Sequence, residues 1–451
     1  MLPLALILRA QGAEVAGSDR SHDQGRSAEK FAWLENLGFA LHPQDGSGVS
    51  SADQVLVASA AVEDTVPEVI RATELGCDRL SRAELLAELF NAAPQSIAVG
   101  GTSGKSTVTG MIGWIMTEAG RDPTIMNGAV MKNFTSPDAP FASARVGTGG
   151  TFVSEVDESD GSIALYRPTV AVLGNVSLDH KSMEELRELF GDFVARADVA
   201  AINLDDPESA ALAKHASSLI GFGIESSAAR IGIEAGSVVE APDSVSATVI
   251  DRNDGGVHAL TVRQPGRHTL YNALAAIAGT VAAGIPAAAA VSALGGFAGL
   301  ARRFDVIGTS PSGVTVIDDF GHNPDKVRAT LSALKAHPGR VVAFFQPHGY
   351  GPLRQMGAEL AEVFARMLGP DDLTILCDPV YFGGTVDRSE GSERIVRLIN
   401  EAGGRAEYIS SREDCGARIV EIAQPGDRIV VMGARDDTLT QFAADILTRL
   451  Q

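Results

Sequence analysis

The 451-residue sequence is poor in several things, and each shortage removes a class of protein. Its 3 cysteines, Cys77, Cys377 and Cys415, lie far apart with no Cys-x-x-Cys pair. That excludes a disulfide scaffold and a cysteine-built zinc site, and suits buried free thiols in a reducing compartment. Positive charge is scarce: 37 Lys and Arg against 57 Asp and Glu leave a net charge of −20. A nucleic-acid or anionic-membrane partner does not fit that balance. No apolar run approaches the ~20 residues that span a bilayer. The opening MLPLALILRAQG has neither a basic leader nor a small-residue cleavage site, so it reads as a helix and the protein as cytoplasmic. Aromatics are few, at 5 %. What remains is rich in apolar residues (45 %) and in glycine (48 residues), the composition of a soluble α/β enzyme with an ample core. At ~100–200 residues per domain the length suggests two to four domains.

Three segments follow. Residues 1–92 alternate helix (MLPLALILRAQG, SAEKFAWLENLG, VPEVIRATELG, SRAELLAELF) with strand (EVAGSD, QVLVASA), the pattern of a small parallel-sheet unit. Ser81 and Glu84 are spaced as a capping box. The unit opens on a helix, whereas a nucleotide-binding unit opens on a strand and a glycine turn. The expectation is that the start was assigned too far downstream, the other option being a lost site. NAAPQS (91–96) reads as a linker. A second segment, 93–301, carries the strand-like runs GTFVSEVDE, TVAVLGNV and VAAINLD, a β-rich patch over about 219–263, and the helix GRHTLYNALAAIAGTVAAG. A third, 302–451, alternates VTVIDDF, RVVAFFQ, LTILCD and RIVVMG with helices, another open α/β sheet.

The stretch GGTSGKST (Gly100–Thr107) sits between the apolar run SIAV and the helical VTGMIGWIM. Glycines let backbone N–H groups approach phosphate, and the helix N-terminus adds positive potential. Lys105 can then reach the β/γ-phosphates and Ser106 can bind Mg²⁺. The full phosphate-loop pattern wants a glycine where Val99 stands, so this is a shorter variant. SEVDESDGS (154–162) puts Glu155, Asp157, Glu158 and Asp160 at a strand end, which suits Mg²⁺ or simply a solvated acidic loop. LGNVSLDHK (173–181) holds Asn175, Asp179 and His180; the histidine reads as a metal ligand, a hydrogen-bond donor or a satisfied structural residue. In the last segment VIDDFGHNPDKV (316–327), FFQPHGYGPLRQM (344–356) and MGARDDTL (432–439) place polar residues after strands. If those strands are parallel, the three loops line one crevice.

In order, GTSGKST, SEVDESD, NVSLDHK, RHTLYNALAA, ARRFDVIG and DDFGHNP resemble the Mur ligase family, over essentially the whole chain. The resemblance implies an α/β fold of three domains: a Rossmann-like N-terminal domain lacking its first strand (1–92, UDP-sugar binding), a central P-loop ATPase-type parallel sheet with a small β insertion (93–301, ATP binding), and a C-terminal Rossmann-like domain (302–451). VAGSDRS, VASAAVEDTVPEV, EVDESD, INLDDP and FQPHGY are most like the alanine-adding branch. The implied reaction is ATP-dependent joining of an amino acid, L-alanine by this branch, to the carboxylate of UDP-N-acetylmuramate through an acyl phosphate, in peptidoglycan synthesis. The implied cofactors are ATP and Mg²⁺. The implied partners are small molecules, with the protein a monomer or homodimer.

Carried over residue by residue, Gly101, Thr102, Ser103, Gly104, Lys105, Ser106 and Thr107 cradle the nucleotide phosphates. Ser106 holds one Mg²⁺, and Glu155 and His180 hold a second. Asn272 faces the adenine, and Arg303 and Asp319 reach the ATP. His322 and His348 lie on the amino-acid side, with His322 a candidate base for the amine.

The sequence also departs from the family's usual text. Ser103 stands where this branch has His, Thr269 where an adenine-contacting Asn is usual, and Gly349 where an Arg is usual; GHNP resembles the folylpolyglutamate and cyanophycin synthetase branches. These departures keep two other readings open: a relative with a different amino acid or acceptor, and a non-catalytic nucleotide-binding regulator.

Overall fold

The computed structural model describes residues 1–59, 62–178, 181–380, 390–434, 436 and 438–451. The chain forms two compact units, one of residues 1–239, 246–262 and 268–298, the other of residues 240–245, 263–267 and 299–451.

The first unit is built around the strand Gln95–Gly100. Thr151–Glu155 and Val170–Leu173 pair with it on either side, both parallel. The sheet continues in parallel through Thr124–Met126 on one flank and through Val199–Asn203 and Leu219–Phe222 on the other. Strands of such a sheet are covered on both faces, so they read as unbroken apolar runs, and Val170–Leu173 is buried at every position. Beyond them, Ser244–Asp251 runs antiparallel to Ile231–Ile233 and buries every second residue, the mark of a strand covered on one face only. The long helices Lys105–Glu118 and Arg267–Ala282 belong to the same unit.

The opening helix, Leu2–Ala10, has proline in its first turn and buries Leu4 and Ile7 in the cluster that holds Phe90, Phe152, Phe190 and Phe193. The capping box at Ser81 and Glu84 forms, with both of its bonds present, at the start of the helix Arg82–Asn91. The small parallel sheet expected in residues 1–92 differs from what is found. Two separate parallel pairs occur instead, Ala16–Ser18 with Ala40–His42, and Val55–Ala58 with Asp78–Ser81. Their strands are only three or four residues long and none of their residues is fully buried, so little binds the two pairs into one sheet. The linker is also shorter than the sequence suggested, because Gln95 and Ser96 already belong to a strand.

Among the described residues the second unit holds six strands in the order Asp305–Thr309, Thr315–Asp319, Arg428–Gly433, Val341–Gln346, Leu373–Leu376, Ala406–Tyr408. The first is antiparallel and the rest are parallel. Apolar clusters cover both faces. Thr315–Asp319, Arg428–Gly433 and Val341–Gln346 are neighbours, so the three polar loops anticipated after them do leave one edge of the sheet. The short strand Ala406–Tyr408 and the helix Arg412–Ile422 had not been anticipated. Cys77, Cys377 and Cys415 are buried and free. No helix among the described residues is long and apolar enough to cross a membrane.

Candidate active site

The strand Gln95–Gly100 ends in a turn of glycines and small polar residues, and Gly104 caps the helix Lys105–Glu118. Two glycines are required by space. A Cβ on Gly101 would stand 3.1 Å from the Asn175 carbonyl oxygen, and one on Gly104 would stand 2.5 Å from Asn272 Oδ1. Both also lie at positive φ, +133° and +83°. No side chain caps this helix, so the backbone N–H groups of its first turn, at Lys105, Ser106 and Thr107, point into the loop as an anion site.

The loop is fastened from outside. The Ser103 N–H donates to Asn175 Oδ1 (2.9 Å), and Asn175 Nδ2 donates back to the Ser103 carbonyl (3.0 Å). The Thr102 N–H reaches the Asn175 carbonyl (3.0 Å). The Thr102 hydroxyl bridges the N–H and carbonyl of Ser177. Asn175 and Ser177 lead to Asp179 and His180, which lie outside the described residues.

Inside the loop, Lys105 Nζ donates to the Gly101 carbonyl (2.8 Å) and to Glu158 Oε2 (2.7 Å). The Ser106 hydroxyl donates to Glu155 Oε2 (2.7 Å). Gly128 leaves room for that pair, since a Cβ there would stand 2.1 Å from Glu155 Oε1. Asn127, almost fully buried, ties the same loop to the helix by donating to the Ser106 carbonyl at 2.9 Å. A hydroxyl and a carboxylate oxygen beside a phosphate loop fit Mg²⁺, which takes one or two protein oxygens and fills its octahedron with phosphate and water. Among the described residues no three His, Cys, Asp or Glu side chains converge as a metal cage. Burial pushes the Asp157 carboxyl up, but hydrogen bonds from Ser159 and the nearby Lys105 and Arg82 cations more than reverse it, and it sits below its usual range.

Asn272, on the helix Arg267–Ala282, lies over Gly104 and so borders the phosphate loop. Its neighbour Tyr271 donates to Asp205 (3.0 Å), whose carboxylate also gathers the N–H groups of Ile224, Glu225 and Ser226.

In the second unit, the Arg303 guanidinium lies 4.4 Å from the Phe320 ring centre. Phe320 meets His322 edge-on at 5.3 Å, and His322 meets His348 at 5.2 Å. His322 Nδ1 is 2.9 Å from the Phe320 carbonyl. Burial first, then the Lys326 cation, push its pKa down to about 3. Held neutral, His322 bonds through Nδ1 and meets His348 edge-on. Asp319 is likewise committed: Oδ2 accepts the Phe304 N–H (2.8 Å), and Oδ1 accepts the Gly321 N–H and the Thr330 hydroxyl (2.8 Å each). These three bonds tie the end of the strand Thr315–Asp319 to Phe304, next to Arg303, and leave acceptor capacity on Oδ2.

Family models match the chain in three consecutive stretches: one described as Mur ligase family, catalytic domain, at residues 1–93, the Mur ligase middle domain at 99–280, and the Mur ligase, glutamate ligase domain at 302–435. The chain belongs to the Mur ligase family. A UDP-N-acetylmuramate–L-alanine ligase of a Synechococcus species is 35 % identical over 97 % of this chain and 82 % of its own length. One of Agrobacterium fabrum is 34 % identical over 100 % of this chain and 94 % of its own. Among solved structures, the UDP-N-acetylmuramate–alanine ligase of Thermotoga maritima shares the fold, with a TM-score of 0.79 at 22 % identity over 100 % of this chain and 96 % of that one.

In this Mur ligase, the residues that sequence reasoning picked in the first unit, Gly101 to Thr107 with Glu155 and Asn272, are brought together around one loop. Sequence reasoning passed over Asn127 and Gly128; their only signal is an Asn-Gly pair directly after the short strand Thr124–Met126. It also passed over the contribution of Arg302, which is buried and donates to the carbonyls of Asp436 (2.9 Å) and Gly433 (2.6 Å), fixing the backbone from which Arg303 projects.

Proposed function

We propose that this Mur ligase joins L-alanine to the carboxylate of UDP-N-acetylmuramate with cleavage of ATP, a step of peptidoglycan precursor synthesis. The observation that carries the reading is the phosphate loop with a half-buried lysine and a serine–glutamate oxygen pair at its mouth. The choice of substrates rests on the relatives' names. Division of labour by segment follows the family: 1–92 for the UDP-sugar, 93–301 for ATP, 302–451 for the remaining contacts. Such substrates place the protein in the cytoplasm.

A carboxylate becomes an electrophile only when one oxygen turns into a good leaving group. Its oxygen attacks the γ-phosphorus, ADP leaves, and the acyl phosphate is then attacked by the amine, releasing phosphate and forming the amide. Two anions must first meet. Lys105 and the N–H groups of Lys105, Ser106 and Thr107 supply the fixed positive field that lowers this repulsion. Mg²⁺ held by Ser106 and, by the family pattern, a second Mg²⁺ held by Glu155 and His180 would supply charge neutralisation on the phosphate oxygens. Asn175 holds the loop in shape, so its donors need no rearrangement when charge develops.

One observation favours a second reading, a relative using another amino acid. Gly349 has φ of +128° in a region that suits glycine, so the arginine usual there would strain this backbone. The test is phosphate release from ATP and Mg²⁺ with UDP-N-acetylmuramate and each amino acid in turn, with Lys105→Ala as the blank. Release with L-alanine alone supports the proposal. Release with a different amino acid moves the answer to the second reading.

A further inference from the structure

Two acids three residues apart, Glu155 and Glu158, grip two consecutive residues of the phosphate loop. Glu155 takes the Ser106 hydroxyl, and Glu158 takes the Lys105 ammonium. Only the first has a role in the reading above. Glu158 is the more buried, at 5 % exposure, and its contact with Lys105 is a direct ion pair.

We propose that Glu158 is the positioning residue of the phosphate loop, fixing the direction in which Lys105 presents its remaining N–H to the nucleotide. This rests on the reading of that loop as an ATP site. A lysine stem is flexible and its ammonium carries three donors. Among the described residues two of the three are spent within the protein, on the Gly101 carbonyl and on Glu158. Two fixed acceptors define where Nζ sits and leave one donor direction open.

The acceptors are themselves held. The Val156 N–H donates to the Val99 carbonyl (3.0 Å), which ties the acid loop to the strand that ends in the phosphate loop. The Gly161 N–H closes onto the Glu158 carbonyl (3.1 Å), and the Ile163 N–H onto that of Asp157 (3.0 Å). Asp157 and Asp160 each accept the N–H two residues on, from Ser159 and Ser162, both at 2.9 Å. The acidic run DESD is therefore a rigid bracket, with its two aspartates turned to the loop's own backbone and Glu158 to the lysine.

Two other roles for Glu158 give different results. As a metal ligand it would have to give up Lys105. As a mere counter-ion it would compete with the phosphates. The test measures binding of a non-hydrolysable ATP analogue, over a range of Mg²⁺ concentrations, to the full chain and to its Glu158→Gln, Glu158→Ala and Lys105→Ala variants, with melting temperatures as a check on folding. Glutamine keeps an acceptor of the same length without the charge, so Glu158→Gln should bind within threefold of the native protein. Glu158→Ala should bind at least tenfold more weakly, with the Mg²⁺ dependence of both unchanged. Tighter binding by Glu158→Ala would overturn the proposal in favour of competition. A raised Mg²⁺ requirement in both Glu158 variants would overturn it in favour of metal ligation. If Glu158→Ala fails to fold, tenfold weaker binding by Glu158→Gln alone would still overturn the acceptor geometry. No Lys105-dependent binding by the native protein would overturn the ATP reading itself, and this proposal with it.

Discussion

Lys105 is the residue on which the chemistry turns, because among the described residues it is the cation placed inside the phosphate loop. Lys105→Ala should lower the rate of ATP-dependent amide formation by about a hundredfold or more, as loss of a preorganised donor does, and should lower the melting temperature as well, because it leaves the buried Glu158 carboxylate without its partner. Steady-state phosphate release and thermal unfolding check both halves. Two groups of the second unit, Asp318 fully buried and His322 half-buried, shift stability in opposite senses with pH. Burial pushes the Asp318 carboxyl up to about 6, against the opposing pull of the Arg302 cation 3.5 Å away. Its folded form therefore keeps a proton that the unfolded chain has released, and stability falls as pH rises from about 4 to about 6. His322, pushed down to about 3, does the reverse: the unfolded chain takes up a proton the folded one refuses, and stability falls as pH drops below about 6.5. Each slope is at most about 1.4 kcal/mol per pH unit, so the two largely cancel. Asp318→Asn should make the melting temperature rise more steeply with pH between 4 and 6 than in the native protein, and His322→Asn should make it rise less. Unfolding midpoints in a buffer series read both.

How legible these residues were depends on how local their contacts are. Lys105, Ser106 and the glycines were legible because one strand-turn-helix carries them all. Glu158 was visible only as one of four acids, because its partner lies 53 positions away and nothing in the spacing pairs them. Asp319 was legible as a site candidate only through the family resemblance, and its three donors, from Phe304, Gly321 and Thr330, could not be read from the sequence.

At the scale of elements, the loops after parallel strands carry the site, and the glycines in them set how close the elements come. Gly128→Ala would drive a methyl group into Glu155 and so part the Ser106–Glu155 pair. The expected result is a severalfold or greater rise in the Mg²⁺ concentration needed for half-maximal rate, with little change in melting temperature. Gly349→Ala has open space around it, with Pro352 Cδ its nearest neighbour at 3.7 Å, but a φ that only glycine adopts freely. It should cost about 1–3 kcal/mol of stability, read as a lower denaturation midpoint. Most helices and buried strands were legible from their apolar periodicity and capping residues. The edge strands Asp305–Thr309 and Ala406–Tyr408 were not, because a short, partly exposed strand leaves no distinctive pattern.

At the scale of the whole molecule, the order of motifs along the chain was the strongest signal, and three family matches in the same order agree with it. What the order could not convey is how the first 92 residues pair their strands, which depends on contacts between segments and not on any one of them. In the reaction proposed above, the γ-phosphate passes to a carboxylate of the sugar nucleotide before the amide forms. The most direct measurement uses UDP-N-acetylmuramate labelled with ¹⁸O in its free carboxylate, together with ATP, Mg²⁺ and L-alanine, and weighs the released phosphate. The acyl-phosphate route requires one carboxylate oxygen to leave with the phosphate, so one ¹⁸O per phosphate is predicted. Amide formation with no label in the phosphate would contradict the account.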